Sequence, residues 1–126
     1  MEIGMYENLR LQYKIWFTDE AGDGLLGDGK WKILKAIDQE GSLTAACDKL
    51  GITYRRTWND LKNIEKRLGF ALLEKNRGGI DGGSTSLTVE GLRLIKAFDN
   101  FHEKMDTIMQ EQFKLLIKDL TSHGKS

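Results

Sequence analysis

No proline occurs anywhere in the 126 residues, so no helix is forced to kink or stop by a missing amide. A single cysteine, Cys47, is present, which excludes an internal disulfide framework and fits a reducing compartment. No apolar run approaches the roughly 20 residues that cross a bilayer, and no N-terminal signal pattern is present. A cytoplasmic protein without membrane contact is therefore the expectation. Chemistry-bearing residues are sparse too. His102 and His123 lie far along the chain from Cys47, no His/Cys/Asp cluster has metal-ligand spacing, and no serine sits in an elbow motif. Cys47 in an alanine-rich segment reads as packing rather than as a nucleophile. The chain is expected to catalyse nothing and to hold no cofactor.

The composition, 40% apolar and 30% charged, is that of an ordinary globule, and the length fits one domain covering 1–126. A net charge of zero conceals an uneven distribution. Residues 1–29 carry two basic and six acidic side chains, whereas residues 53–80 carry seven basic (Arg55, Arg56, Lys62, Lys66, Arg67, Lys75, Arg77) and three acidic ones. An excess of +4 in 28 residues fits either a solvated helix face or a surface for a polyanion. The pattern within the stretch favours the second.

Residues 9–17 alternate, with Leu9, Leu11, Tyr13, Ile15 and Phe17 on one side, which predicts a half-buried strand. A Gly/Asp-dense turn over 19–24 leads to a short return at Leu25 and Leu26, so N-terminal strands are expected within 9–27. A three-helix core is expected over 28–68. Its first helix starts with Asp28 as N-cap and ends at Gly41. Ser42 caps a second over 43–50, Gly51 breaks it, and Thr53 caps a third reaching Leu68. Two helices joined by a short glycine-containing turn are a helix-turn-helix. A β-ribbon over 70–87 follows, with strands at 71–74 and 86–87 around a loop of four glycines, which makes it a wing. Thr88 then caps a long helix over 88–120. The fold class expected is mainly α with small β-hairpins, a winged helix-turn-helix with a long C-terminal dimerisation helix.

On the third helix, Arg55, Asn59, Lys62 and Lys66 fall within a stripe about 60° wide at 100° per residue. Trp58, Leu61, Ile64 and Leu68 lie opposite, facing inward, and Arg56 and Asn63 flank the stripe. An apolar back with long donors in front suits a helix entering the DNA major groove, where Arg pairs with guanine and Asn with adenine. The wing glycines Gly78 and Gly79 allow close approach of backbone amides to phosphate, with Lys75 and Arg77 at the base of the loop. Asp81 at the tip opposes an anion there.

Leu94, Phe98, Phe101, Met105 and Ile108 recur on the last helix at four- and three-residue steps, with Leu115 further on. Such a seam suits packing against its twin in a homodimer, the alternative being a helix folded back on its own domain. Double-stranded DNA with a palindromic operator is the partner expected of such a dimer.

The runs 41–46 (Gly-Ser-Leu-Thr-Ala-Ala) and 50–58 (Leu-Gly-Ile-Thr-Tyr-Arg-Arg-Thr-Trp), then Leu73-Glu74-Lys75 and the glycine loop closing at Leu87-Thr88, resemble the DNA-binding domain of the ModE family of molybdate-responsive regulators. A looser likeness to the LysR-type winged helix accompanies it. The resemblance spans about residues 9–101. It implies a dimeric prokaryotic transcription regulator whose DNA-facing positions include Thr53, Tyr54, Arg55, Arg56 and Asn59; Ser42 and Thr44 of the second helix are further DNA-binding candidates. By the helical wheel Tyr54 lies at the edge of the core, its hydroxyl directed to a phosphate. Family members that sense molybdate carry further C-terminal oxyanion-binding domains, so the resemblance extends to the DNA-binding half and molybdate binding is not expected. Ile80-Asp81 stands where the family often has Lys-Gly, which weakens the expected wing contact. The competing function is a winged-helix protein-interaction module without operator binding.

Overall fold

The computed structural model describes residues 6–76 and 84–122. The expected mainly helical chain with small hairpins is what forms. In order come β1 (Trp16–Thr18), β2 (Gly24–Gly27), α1 (Asp28–Glu40), α2 (Leu43–Leu50), α3 (Tyr54–Leu68), β3 (Leu73–Asn76), β4 (Ser84–Leu87) and α4 (Val89–Thr121). These residues form two compact units, one of residues 14–98 and one of residues 6–13 with 99–122.

Glycine sets the helix ends in the larger unit. Gly41, Gly51 and Gly69 close α1, α2 and α3 at φ of 88°, 67° and 86°, each returning its amide to the carbonyl four residues earlier. That left-handed conformation strains any residue with a Cβ. Ser42 Oγ accepts from the Ala45 amide at 3.1 Å, capping α2 as expected. Thr88 Oγ1 accepts from the Gly91 amide at 2.9 Å and donates to the Ala71 carbonyl at 2.7 Å, which starts α4 against the entry to the wing. Thr53 holds the cap position of α3 without a side-chain cap bond.

The core of this unit gathers Leu34 and Ile37 of α1, Leu43, Ala46 and Cys47 of α2, Leu61 and Ile64 of α3, Leu72, Leu87, and Ile95 and Phe98 of α4. Cys47 is buried among them, in the packing role its alanine-rich surroundings suggested.

Three local expectations need correction. The strand anticipated over 9–17 is paired only at Trp16–Thr18, antiparallel to Gly24–Gly27. Its partner β2 ends where α1 begins, so no strand is left to extend the ladder upstream. The alternation instead marks half-buried Leu11, Tyr13 and Ile15 between exposed Arg10, Gln12, Lys14 and Trp16. Asp28 is the first residue of α1, with Gly27 in the cap position. Its carboxylate accepts from the Ile15 amide at 3.1 Å, and its own amide donates to the Ile15 carbonyl at 3.0 Å. The wing strands are shifted from 71–74 and 86–87 to a ladder pairing Leu73 with Leu87 through Asn76 with Ser84.

In the smaller unit, the Tyr13 hydroxyl donates to Asp106 Oδ1 and its ring stacks on His102 with centroids 6.2 Å apart.

Candidate nucleic-acid interface

Helix α3 is strongly two-sided. Thr57, Leu61 and Ile64 are buried, whereas Tyr54, Arg55, Arg56, Asn59, Asn63 and Lys66 are exposed. The carboxylates of α3 are engaged elsewhere. Asp60 binds Lys30 of α1 at 3.3 Å. Glu65 binds Lys62 at 3.1 Å and accepts both the Leu72 and the Leu73 amides at 2.8 Å. Burial opposes ionisation of Glu65, but these two amides and the Lys62 ammonium outweigh it and hold its carboxyl below the usual glutamate value. Arg55, Arg56 and Lys66 have no acidic partner among the described residues. The exposed side of α3 therefore keeps an uncompensated cationic character.

Two basic residues of this stretch serve differently from what their spacing implied. Arg67 fastens the β1–β2 turn, donating to the Gly24 carbonyl at 2.6 Å, Asp19 Oδ2 at 3.0 Å and the Asp23 carbonyl at 3.2 Å. The Asp23 amide is the main influence lowering the Asp19 carboxyl, ahead of an opposing desolvation, with Arg67 adding to it. Lys62, expected among the free donors, is half-buried and lies 4.8 Å above the Trp58 ring as well as pairing with Glu65.

Trp58, expected to face inward, reaches both ways. One part of the indole packs on the core, and the ring also stacks on Tyr54 at 6.3 Å and 10°. Lys75 of β3 sits 5.7 Å from the same centroid. Tyr54, Arg55, Trp58, Asn59 and Lys75 consequently line one hollow where α3 meets the wing. The sequence reading missed this role of Trp58. The available signal was its position four residues after Tyr54 and four before Lys62, which puts all three along one helix ridge.

The remaining sites fall as follows. Ser42 is half-buried and occupied in capping, while Thr44 is exposed on α2. Thr53 and Arg56 line a second hollow together with Lys30, Ile33, Ile52, Thr57 and Asp60. Asn76 Nδ2 donates to Ser84 Oγ and Ser86 Oγ at 3.3 and 2.9 Å, tying the wing strands together. Arg77, Gly78 and Gly79 lie outside the described residues. Among those described, no group of three His, Cys, Asp or Glu side chains is placed to hold a metal ion, and no helix is long and apolar enough to cross a membrane.

The seam expected on α4 divides. Leu94 packs on the core of the larger unit. Phe98 is a correction: it is only 4% exposed, with its ring edge-on to Phe17 at 5.6 Å and tilted on Trp31 at 5.3 Å. The hairpin and α1 supply aromatic partners that a helical repeat alone does not disclose. Phe101, Ile108 and Leu115 remain exposed at seven-residue intervals, with Met105 half-buried.

The model of bacterial regulatory helix-turn-helix proteins of the lysR family matches residues 29–92, from α1 into the start of α4. The chain is 37% identical over 68 residues to the transcriptional regulator ModE of Haemophilus influenzae, covering 54% of this chain and 27% of that protein. It is 31% identical over 110 residues to the DNA-binding transcriptional dual regulator ModE of Escherichia coli K12, covering 86% of this chain and 40% of that one. The chain thus spans between about a quarter and two fifths of these relatives' length. Among solved structures, ArgP from Mycobacterium tuberculosis aligns with a TM-score of 0.49 at 19% identity, over 66% of this chain and 29% of that one. With its family match running through both helices of the turn and the wing, the chain belongs to the lysR family of bacterial regulatory helix-turn-helix proteins, and its helix-turn-helix domain is ModE-like.

Proposed function

We propose that this chain binds duplex DNA sequence-specifically as a transcription regulator of the ModE type, with α3 in the major groove and the wing beside it. The observation that carries the proposal is the uncompensated face of α3. Arg55, Arg56 and Lys66 lack an acidic partner among the described residues, whereas Asp60 and Glu65 are occupied by Lys30 and Lys62. Arg55 and Asn59 are the base-reading candidates, since Arg can pair with guanine O6 and N7 and Asn with adenine N6 and N7. Arg56, Lys66, Lys75, Arg77 and the amides of Gly78 and Gly79 are assigned to phosphates, together with the hydroxyls of Thr44, Thr53 and Tyr54. Ser42 acts through its cap, by aligning α2.

The reading includes a homodimer on a palindromic operator in the cytoplasm, joined through the side of α4 that bears exposed Phe101 and Ile108 with half-buried Met105 between them. It assigns neither catalysis nor molybdate sensing to these residues. Selection from a random duplex pool tests it. Enrichment of an inverted repeat whose half-sites lie near one helical turn apart, about 34–36 Å, is expected. Failure to enrich any sequence would favour a winged-helix module that holds a protein partner.

A further inference from the structure

Two lysines from different elements converge on one indole: Lys62 of α3 at 4.8 Å and Lys75 of β3 at 5.7 Å from the Trp58 centroid. The ring quadrupole attracts each ammonium. Glu65 partners Lys62, but Lys75 has no carboxylate partner among the described residues. The Tyr54 ring, stacked on Trp58 at an interplanar angle of 10°, stiffens the platform. Arg55 and Asn59 line the adjoining hollow together with Lys75. A concave, aromatic-floored site with a surplus of cations between a recognition helix and a wing suits an anion that passes between them.

From this arrangement we infer that Trp58 is a positioning residue which holds Lys75 toward a single phosphate of the DNA backbone, where the strand crosses from α3 to the wing. The inference rests on the DNA-binding reading above and adds to it a residue and a ligand group. Trp58 itself reads no base. It fixes the flexible Lys75 side chain before DNA arrives, so that less of its rotamer freedom is lost on binding, and it ties the wing to the helix through that contact.

The test is the affinity of the whole chain for one duplex, chosen by selection, at about 50 and about 200 mM salt. Neutralising one phosphate contributes a slope near −0.9, so losing it should make the affinity drop between those salts about threefold smaller. Lys75→Gln should show that change, and Trp58→Leu should show it too. In the Trp58→Leu background Lys75→Gln should then add nothing, and Trp58→Phe, which keeps an aromatic face, should restore most of the salt dependence. Trp58 also touches the core, so a Trp58→Leu chain that fails to fold leaves the decision to Lys75→Gln and Trp58→Phe. An unchanged salt dependence in Lys75→Gln, or equal loss with Phe and Leu at position 58, would overturn the phosphate seat while leaving DNA binding intact. Absence of salt-dependent binding by the unaltered chain would overturn both.

Discussion

Glu65 near the end of α3 accepts the amide of Leu73, the first residue of the wing, at 2.8 Å, and the same oxygen accepts the Leu72 amide at 2.8 Å. One carboxylate therefore fixes the angle at which the wing leaves α3. It also satisfies two amides, one of them belonging to fully buried Leu72, at the turn between helix and ladder. Hydrogen bonds to an ionised group contribute about 1.5–3 kcal/mol each, so Glu65→Ala should destabilise the fold by at least one such amount. Denaturant melts measure it; a loss below about 0.5 kcal/mol would show that water replaces the carboxylate.

The same clamp gives a pH dependence with a definite sign. The Glu65 carboxyl lies below its ordinary value of 4.5 in the folded chain, so the unfolded chain binds the proton more readily. The contribution is complete above the ordinary glutamate range and is lost as pH falls through the lowered folded value. Glu65→Gln should flatten the acid side of the stability curve relative to the unaltered chain. Parallel curves for the two proteins below pH about 5 would contradict the clamp.

Gly91 is expected to resist the substitution that helix propensity favours. Alanine in a helix interior gains about 1 kcal/mol over glycine, yet a Cβ at Gly91 would stand 2.9 Å from the Leu72 carbonyl oxygen. Backbone cannot swing aside as a side chain can. Gly91→Ala should lower the melting temperature, and a raised one would show that α4 can move away from Leu72.

Phe98 and Ile108 separate core from seam. Phe98→Ala should cost about 3–5 kcal/mol through the cavity it leaves against Phe17 and Trp31. Ile108, 49% exposed, should tolerate Asp with little change in folding while the sedimenting mass falls from dimer to monomer. An undisturbed dimer in Ile108→Asp would remove this side of α4 from the interface.

Much of the fold was legible because glycine and hydroxyl residues punctuate it. Gly41, Gly51 and Gly69 mark three helix ends, and Ser42 and Thr88 mark two starts, each by a local rule that needs no tertiary partner. The errors arose where distant groups decide. Alternation over 9–17 records which side packs and says nothing of whether a neighbouring strand exists to pair with it. Asp28 has the chemistry of a cap, but Ile15 competes for its carboxylate. Arg67 counts toward the basic excess in the sequence, while its guanidinium belongs to the β1–β2 turn. Trp58 fits an inward face by angle, yet the indole is large enough to pack on the core and still offer a ring to Lys62 and Lys75. The positions of Arg55, Arg56 and Asn59 on α3 followed from periodicity. That Asp60 and Glu65 leave this face uncompensated required knowing that Lys30 and the Leu72 amide lie beside them.

The base-reading role proposed for α3 has its own test. Arg55→Ala and Arg56→Ala should each leave stability within about 0.5 kcal/mol, since neither side chain is buried. Arg55→Ala should weaken specific binding by about 1–3 kcal/mol with relaxed preference at one position of each half-site, whereas Arg56→Ala, assigned to a phosphate, should weaken binding evenly across sequences. Uniform weakening in Arg55→Ala would instead assign Arg55 to a phosphate.

The most direct measurement of the central claim is fluorescence anisotropy with random duplex DNA at two salt concentrations. The account predicts micromolar or tighter binding at low salt that weakens steeply as salt rises, because the cations of α3 and the wing displace counterions from phosphate. No binding at low salt, or binding indifferent to salt, would contradict it.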